Sequence, residues 1–193
     1  MVEYWNLSVP GVDGTAERRA YLYLPACYNA EPERRFPVLY MFDGHNVFFD
    51  SHATYGKSWG MAEYLDRTLP DRRHTFIGGS SMGGLMSLYA VTAYNQVFSR
   101  AMALSPSLWV SPEQLAQEID QARLGPSTVV YMDYGAREFA NHAAMRAGFA
   151  DTCARLLQRH VPLAARVAPG GEHCEASWER QLPFAVPALM YGL

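Results

Sequence analysis

The chain has 193 residues, 49% of them hydrophobic and 18% charged, which suits a single folded domain with a sizeable core and excludes a disordered chain. A formal charge of -3 and a pI near 6.1, with no basic cluster larger than Arg72-Arg73, argue against a nucleic-acid or anionic-membrane partner. Cys27, Cys153 and Cys174 are odd in number and widely spaced, which excludes a disulfide framework and a zinc-type pairing.

No basic segment followed by an apolar run opens the sequence, and no apolar stretch approaches the ~20 residues that span a bilayer. A soluble, cytoplasmic protein is expected. The chain shows no internal repeat and no linker.

"YWNLSV" (4–9) and "RRAYLYLP" (18–25) predict two strands, with "GVDG" (11–14) as the turn of an antiparallel hairpin. "FPVLYMF" (36–42) is a continuous apolar run, the pattern of a strand buried on both faces, and ends in "DGHN". A helix is predicted over 59–68. "HTFIGG" (74–79) is the next strand, and residues 82–95 form the following helix.

Strand 100–106, helix 112–123, strand 127–135 and a long helix over 138–159 come next. Residues 164–169 read as the last strand and "ASWERQLPFAVPALMYGL" as the last helix, kinked or broken by Pro183 and Pro187. Strands alternating with helices predict an α/β domain over 1–193: a mainly parallel sheet with helices on both faces, plus the antiparallel hairpin. Ligands in such sheets bind at the carboxyl ends of the strands, so the loops there are the place to search.

One of those loops is Gly79-Ser80-Ser81-Met82-Gly83, a match to G-x-S-x-G between a predicted strand and a predicted helix. The pattern fits a nucleophile elbow, a turn so tight that its central serine takes a strained backbone conformation. Gly79 and Gly83 let strand and helix nearly touch, and Gly84 lets the helix pack closely. The turn lifts the Ser81 hydroxyl above the sheet and aims the Met82 N–H at the place where a carbonyl oxygen would become an anion. A phosphate-binding turn fits less well, because neither G-x-G-x-x-G nor G-K-[ST] is present.

A serine nucleophile needs a base oriented by an acid. Downstream lie His142, His160 and His173. His160 ends a predicted helix, where a cation complements the dipole, and His142 lies near the start of the long helix. His173 sits in a glycine-bearing loop after the last strand and is the candidate base. For the acid, Asp133 and Glu138 both follow their strand. Asp133 also suits a structural carboxylate and Glu138 a helix N-terminal charge, so position alone leans only slightly to Glu138.

"YLYLPACYN", "FPVLYMFDGHNVF", "GGSSMGGLMSLYA", "LSPSLWV", "GARE" and "GGEHCEASWERQL" together resemble the esterase D, enterochelin-esterase-like branch of the α/β-hydrolases. That branch includes feruloyl esterases, S-formylglutathione hydrolases and mycolyltransferases. The likeness runs over nearly the whole chain. It implies Ser81, Glu138 and His173 as the catalytic triad, with Glu138 standing where the branch carries its G-x-x-D/E acid. It also implies a second oxyanion donor from the backbone of Gly44 or His45 in "DGHN".

Phe48, Trp59 and Trp109 fall where relatives line the acyl pocket, and Phe49 and Tyr55 extend the aromatic character of that region. No metal or organic cofactor is implied, and Cys174 reads as a small packing residue. The branch normally carries a longer stretch, with another strand, between the tryptophan helix and the nucleophile strand. Here "EYLDRT" runs almost directly into "LPDRRHTFIGG", so the sheet is expected to be short by one strand between the hairpin and "FPVLYMF".

The expected reaction is hydrolysis of a small carboxylic ester or thioester through an acyl-enzyme. An acyltransferase would use the same triad with an alcohol in place of water. A catalytically silent binding protein would have no need of all three triad residue types in order.

Overall fold

The computed structural model describes the chain except residues 12–13, 26–27, 30–32, 34–35, 37, 69–74, 139–142 and 193, and except the side chains of 63 and 66–68. Cys27, His142 and the junction that follows Thr68 thus lie outside the described residues. The chain divides into two compact units, one of Met1–Arg35 and Asp43–Pro70, the other of Phe36–Phe42 and Asp71–Leu193.

The first unit is built on strands β1 (Val2–Gly11) and β2 (Gly14–Tyr23), paired antiparallel from Val2↔Tyr23 to Gly11↔Gly14. Both strands run longer than their sequence patterns predicted. The alternation of side chains puts Tyr4, Tyr21 and Tyr23 on one face. There they meet Phe48 and His52, with ring centroids 5.4 to 6.4 Å apart. Two single 3-10 turns, Gly44–Asn46 and Asp50–His52, carry the segment that presents these rings. Asp50 Oδ1 holds the end of that segment by accepting from the N–H and the hydroxyl of Ser58, each at 2.7 Å. Helix α1 (Met61–Thr68) closes the unit, and its Met61 and Leu65 are buried, as are Val47 and Trp59.

The second unit is a five-stranded sheet in the order β3-β4-β5-β6-β7, all neighbours parallel. Its strands are β3 (Val38–Met41), β4 (Thr75–Ser80), β5 (Arg100–Leu104), β6 (Val129–Gly135) and β7 (Leu163–Ala168). The hairpin strands form a sheet of their own. The connecting helices are α2 (Met82–Ala93), α3 (Pro112–Gln121) and α4 (Ala143–Gln158), followed after β7 by α5 (Glu175–Glu179) and α6 (Leu182–Leu189).

Period-2 alternation sorts the sheet's side chains into two layers. Ile77, Ala101, Ala103, Val130 and Met132 join Leu85, Leu88 and Val91 of α2, Leu115 and Ile119 of α3, and Leu156 of α4 in one core cluster. The alternate residues Met102, Leu104 and Tyr131 face the other way, toward the side where α6 packs on β5 and β6. Each large side chain so buried contributes about 1.5 to 3 kcal/mol relative to exposure. Within α2 the buried hydroxyls of Ser87 and Thr92 donate back to the carbonyls of Gly83 at 2.7 Å and Leu88 at 3.0 Å, which removes the cost of desolvating them.

Three predicted elements differ in detail. "FPVLYMF" does form a strand, but β3 is a short edge strand with Val38 46% and Tyr40 55% exposed, rather than one buried on both faces. An apolar run records hydrophobicity and cannot say whether anything covers both sides. The predicted last helix is two helices, and the break at Arg180 and Gln181 precedes the prolines. Pro183 sits in the first turn of α6, where its missing N–H costs nothing, and Pro187 is accommodated inside it. Asp133 lies within β6, paired with Leu104 on one side and Arg166 on the other, and does not follow the strand. Among the described residues no helix is long and apolar enough to cross a membrane.

Candidate active site

At the carboxyl end of β4 the chain reverses into α2 within one residue. Ser81 takes φ 53° and ψ -118°, a region that costs a non-glycine residue about 1 to 3 kcal/mol. Three backbone hydrogen bonds hold it there. Its N–H donates to Leu104 O at 2.9 Å, and its carbonyl accepts from Leu85 N–H at 3.1 Å and Ser107 N–H at 3.0 Å. The turn closes only because two glycines face each other. A Cβ on Gly79 would stand 2.7 Å from the carbonyl carbon of Gly83.

Two further loops converge on the Ser81 hydroxyl. The turn after β6 and the loop after β7 are clasped by Ala136 N–H to Ala168 O at 3.0 Å and Arg137 N–H to Gly171 O at 2.8 Å. Here again glycines permit the approach, since a Cβ on Gly135 would lie 2.4 Å from the backbone of Gly171. The clasp sets Glu138 beside His173. Glu138 Oε2 lies 2.9 Å from His173 Nδ1, and His173 Nε2 lies 2.9 Å from Ser81 Oγ. The Glu138 side chain is 1% exposed while that of His173 is 19% exposed, so the carboxylate is sealed and the imidazole reaches solvent.

The other carboxylate oxygen is also held. Glu138 Oε1 accepts from the Gly135 N–H at 2.6 Å and from the Ser105 hydroxyl. Ser105 in turn accepts the indole N–H of Trp178 at 3.0 Å. The Trp178 ring stands edge-on to the His173 imidazole, 5.0 Å between centroids and 84° between planes. One tryptophan thus packs on the imidazole and steadies the residue that grips the Glu138 carboxylate.

Asp133 has a different setting. It accepts the Tyr131 hydroxyl at 2.7 Å and the Ser105 N–H at 3.3 Å. Burial, with the Glu138 charge adding to it, pushes its carboxyl up to about 6, against the lowering effect of the Tyr131 and Ser105 bonds and of Arg166.

Of the residues singled out in the sequence, Ser81, Met82, Trp109, Glu138 and His173 belong to the second unit, and Gly44, His45, Phe48 and Trp59 to the first. The hydrogen bonds bring Ser81, His173 and Glu138 into one run. Met82 begins α2, so its N–H is one of the first-turn donors that have no partner inside the helix. Trp109 is half-buried and Trp59 is fully buried. Gly44 and His45 form their own 3-10 turn after Asp43, whose φ is 56°, and His45 Nε2 meets the Thr54 hydroxyl at 2.9 Å. His160 lies in the turn just past α4 with φ 57°, and the hydrogen bonds of the three-residue run do not include it. Ser105, Ser107 and Trp178 were not singled out. Both serines stand in "LSPSLWV" and the tryptophan follows His173 by five positions, but nothing in such spacing shows which hydroxyl faces which oxygen.

The sequence matches the model of the family described as "Putative esterase" over residues 58–189. Comparison with curated proteins finds no match. Among solved structures, a ferulic acid esterase is similar at 16% identity and TM-score 0.63, covering 97% of this chain and 98% of its own. An S-formylglutathione hydrolase from Staphylococcus aureus is similar at 14% identity and TM-score 0.55, with coverages of 98% and 99%. An IroE-like serine hydrolase from Shewanella oneidensis is similar at 14% and TM-score 0.64, with coverages of 96% and 79%. At these identities the likeness carries the fold, and the family match covers more than half of the chain. The chain belongs to this esterase family of carboxylic-ester hydrolases and has the α/β-hydrolase fold.

Proposed function

We propose that the protein is a serine hydrolase that cleaves a small carboxylic ester or thioester through an acyl-enzyme on Ser81, acting as one hydrolase domain. The observation that carries this reading is the unbroken run from Ser81 Oγ to His173 Nε2 and from His173 Nδ1 to Glu138 Oε2, each step 2.9 Å, at a strained elbow.

In this reading the Nδ1 proton of His173 is donated to Glu138 and its Nε2 lone pair faces the Ser81 hydroxyl. Ser81 Oγ attacks the carbonyl carbon as His173 takes its proton. The oxyanion gathers at the Met82 N–H, where the positive end of α2 adds to the stabilisation. His173 then gives the proton to the departing alcohol or thiol. Water enters, loses a proton to the same nitrogen and attacks the acyl carbon. The bond to Ser81 breaks, and Ser81 Oγ recovers its proton from His173. Glu138 keeps the imidazole in the required tautomer throughout.

The test is covalent labelling with a fluorophosphonate, with the modified residue located by mass spectrometry. Attachment at Ser81 in the wild type and none in His173→Ala is expected. A folded wild type that remains unlabelled would overturn the proposal. An ester panel including feruloyl and S-formylglutathione members, the substrates named for proteins of the same fold, would then define the acyl group. Added alcohols would separate hydrolysis from transfer.

A further inference from the structure

Ser107 is 2% exposed, and its Oγ lies 3.2 Å from the Ser81 Oγ. That is the one hydrogen bond of its hydroxyl among the described residues. Its backbone is separately engaged, donating from N–H to the Ser81 carbonyl at 3.0 Å. The direction of the hydroxyl contact follows by elimination. Ser81 has one hydroxyl proton, and in the His173 tautomer of the proposed mechanism that proton is donated to Nε2, 2.9 Å away. The proton between the two serines therefore comes from Ser107, which donates to a lone pair of Ser81 Oγ. A buried hydroxyl with one partner is held to it, because losing the bond would leave the group desolvated and unpaired.

We infer that Ser107 is a further catalytic residue, a hydrogen-bond donor to Ser81 Oγ that favours release of the acyl group over its capture. The inference rests on Ser81 being the acylated residue. The resting Ser81 hydroxyl already accepts the Ser107 bond, so that bond gains little as Oγ attacks and adds little to nucleophilic addition. Once the acyl group is attached, Oγ is the bridging oxygen of an ester and has lost its own proton. Ser107 still donates to it, drawing density from the bridging oxygen and making the acyl carbon a better target for water.

When water has added, with its proton on His173 Nε2, the bond between the acyl carbon and Oγ breaks. The electron pair goes to Oγ, and the proton on His173 follows it. Ser107 stabilises the charge that builds on Oγ during that step and is itself unchanged at the end. It has the same function whatever acyl group is carried, because it touches only the bridging oxygen.

The experiment is a stopped-flow comparison of wild type, Ser107→Ala and Ser107→Cys with p-nitrophenyl acetate and butyrate. Acylation is read from kcat/KM, and deacylation from the reactivation rate of pre-formed acyl-enzyme. Ser107→Ala retains the backbone bond to Ser81 and leaves the elbow supported. Deacylation is expected to slow about tenfold, the worth of one neutral hydrogen bond, while kcat/KM changes by less than about threefold. A burst of p-nitrophenol should then appear or grow. Ser107→Cys retains a weaker donor and should fall between, which keeps the test in force if the alanine variant fails to fold. Deacylation at the wild-type rate, or acylation and deacylation falling together, would overturn the inference. Fluorophosphonate labelling distinguishes its failure from that of the function. No labelling of the wild type removes both, whereas full labelling of Ser107→Ala without slowed deacylation removes this inference alone.

Discussion

Glu138 Oε2 stands 2.9 Å from His173 Nδ1, whereas Asp133, the other carboxylate near the end of β6, spends its oxygens on Tyr131 and the Ser105 N–H. The two acids are five positions apart. Strand geometry separates them: Asp133 is fixed in the ladder between Leu104 and Arg166, and Glu138 lies past Gly135 where the chain has turned back.

Exchanging each acid for its amide should therefore have unequal effects. Glu138→Gln is expected to lower kcat by roughly 10² to 10⁴, because an amide cannot hold the imidazole in the productive tautomer or stabilise its cation. Asp133→Asn should cost less than about tenfold. Turnover of p-nitrophenyl acetate by the two variants checks this, and the reverse order would reassign the acid.

The Trp178–Ser105–Glu138 chain yields a graded prediction. Ser105→Ala removes a donor from Glu138 Oε1 and an acceptor from the Trp178 indole, two buried hydrogen bonds at once. A stability loss of about 1 to 3 kcal/mol and a kcat lowered by about tenfold or more are expected. Trp178→Phe should be milder, because the Ser105 hydroxyl still reaches the carboxylate. Urea midpoints measured alongside kcat test the ranking.

Gly135→Ala should damage stability and activity together. Its Cβ would lie 2.4 Å from Gly171 and 2.9 Å from Glu138 Oε1, so the clasp that sets Glu138 beside His173 must open. A loss of about 2 kcal/mol or more is expected. Gly125→Ala is the control. Its Cβ would meet only Asn95 Oδ1 at 3.5 Å, an ordinary contact, and stability should hold within about 0.5 kcal/mol.

Asp133 also predicts a pH dependence of stability. Its carboxyl is raised in the folded protein to about 6, chiefly by burial, so between about pH 4 and pH 6 the folded state binds more protons than the unfolded state. The slope of unfolding free energy against pH from this group is then negative. Its contribution is full below about pH 4, falls as pH rises, and is lost above about pH 6. The difference is on the order of 2 to 3 kcal/mol. Urea titrations across that range should show the decline in wild type and its absence in Asp133→Asn.

Sequence reading reached far where the governing forces are local. The hairpin, the alternation of strands with helices, and the turn at Ser81 follow from period, from glycine placement and from the backbone freedom the elbow requires. These are properties of a few consecutive residues. The covering of a strand is not such a property, so the β3 run read as doubly buried although Val38 and Tyr40 are exposed. The split between α5 and α6 was misplaced for a similar reason: a proline marks a disturbance, while the packing of each segment decides where the chain bends.

By itself the sequence determined which residue types were available and which loops they occupied, because chemistry and local geometry travel with neighbouring residues. Only the tertiary structure decided which oxygen faces which proton. Ser105, Ser107 and Trp178 meet Glu138, Ser81 and His173 through the parallel ladder of β4, β5 and β6 and the glycine clasp after β7. Hydrogen bonds of about 3 Å depend on registers set by the whole sheet, and no short stretch of chain encodes a distance of that kind.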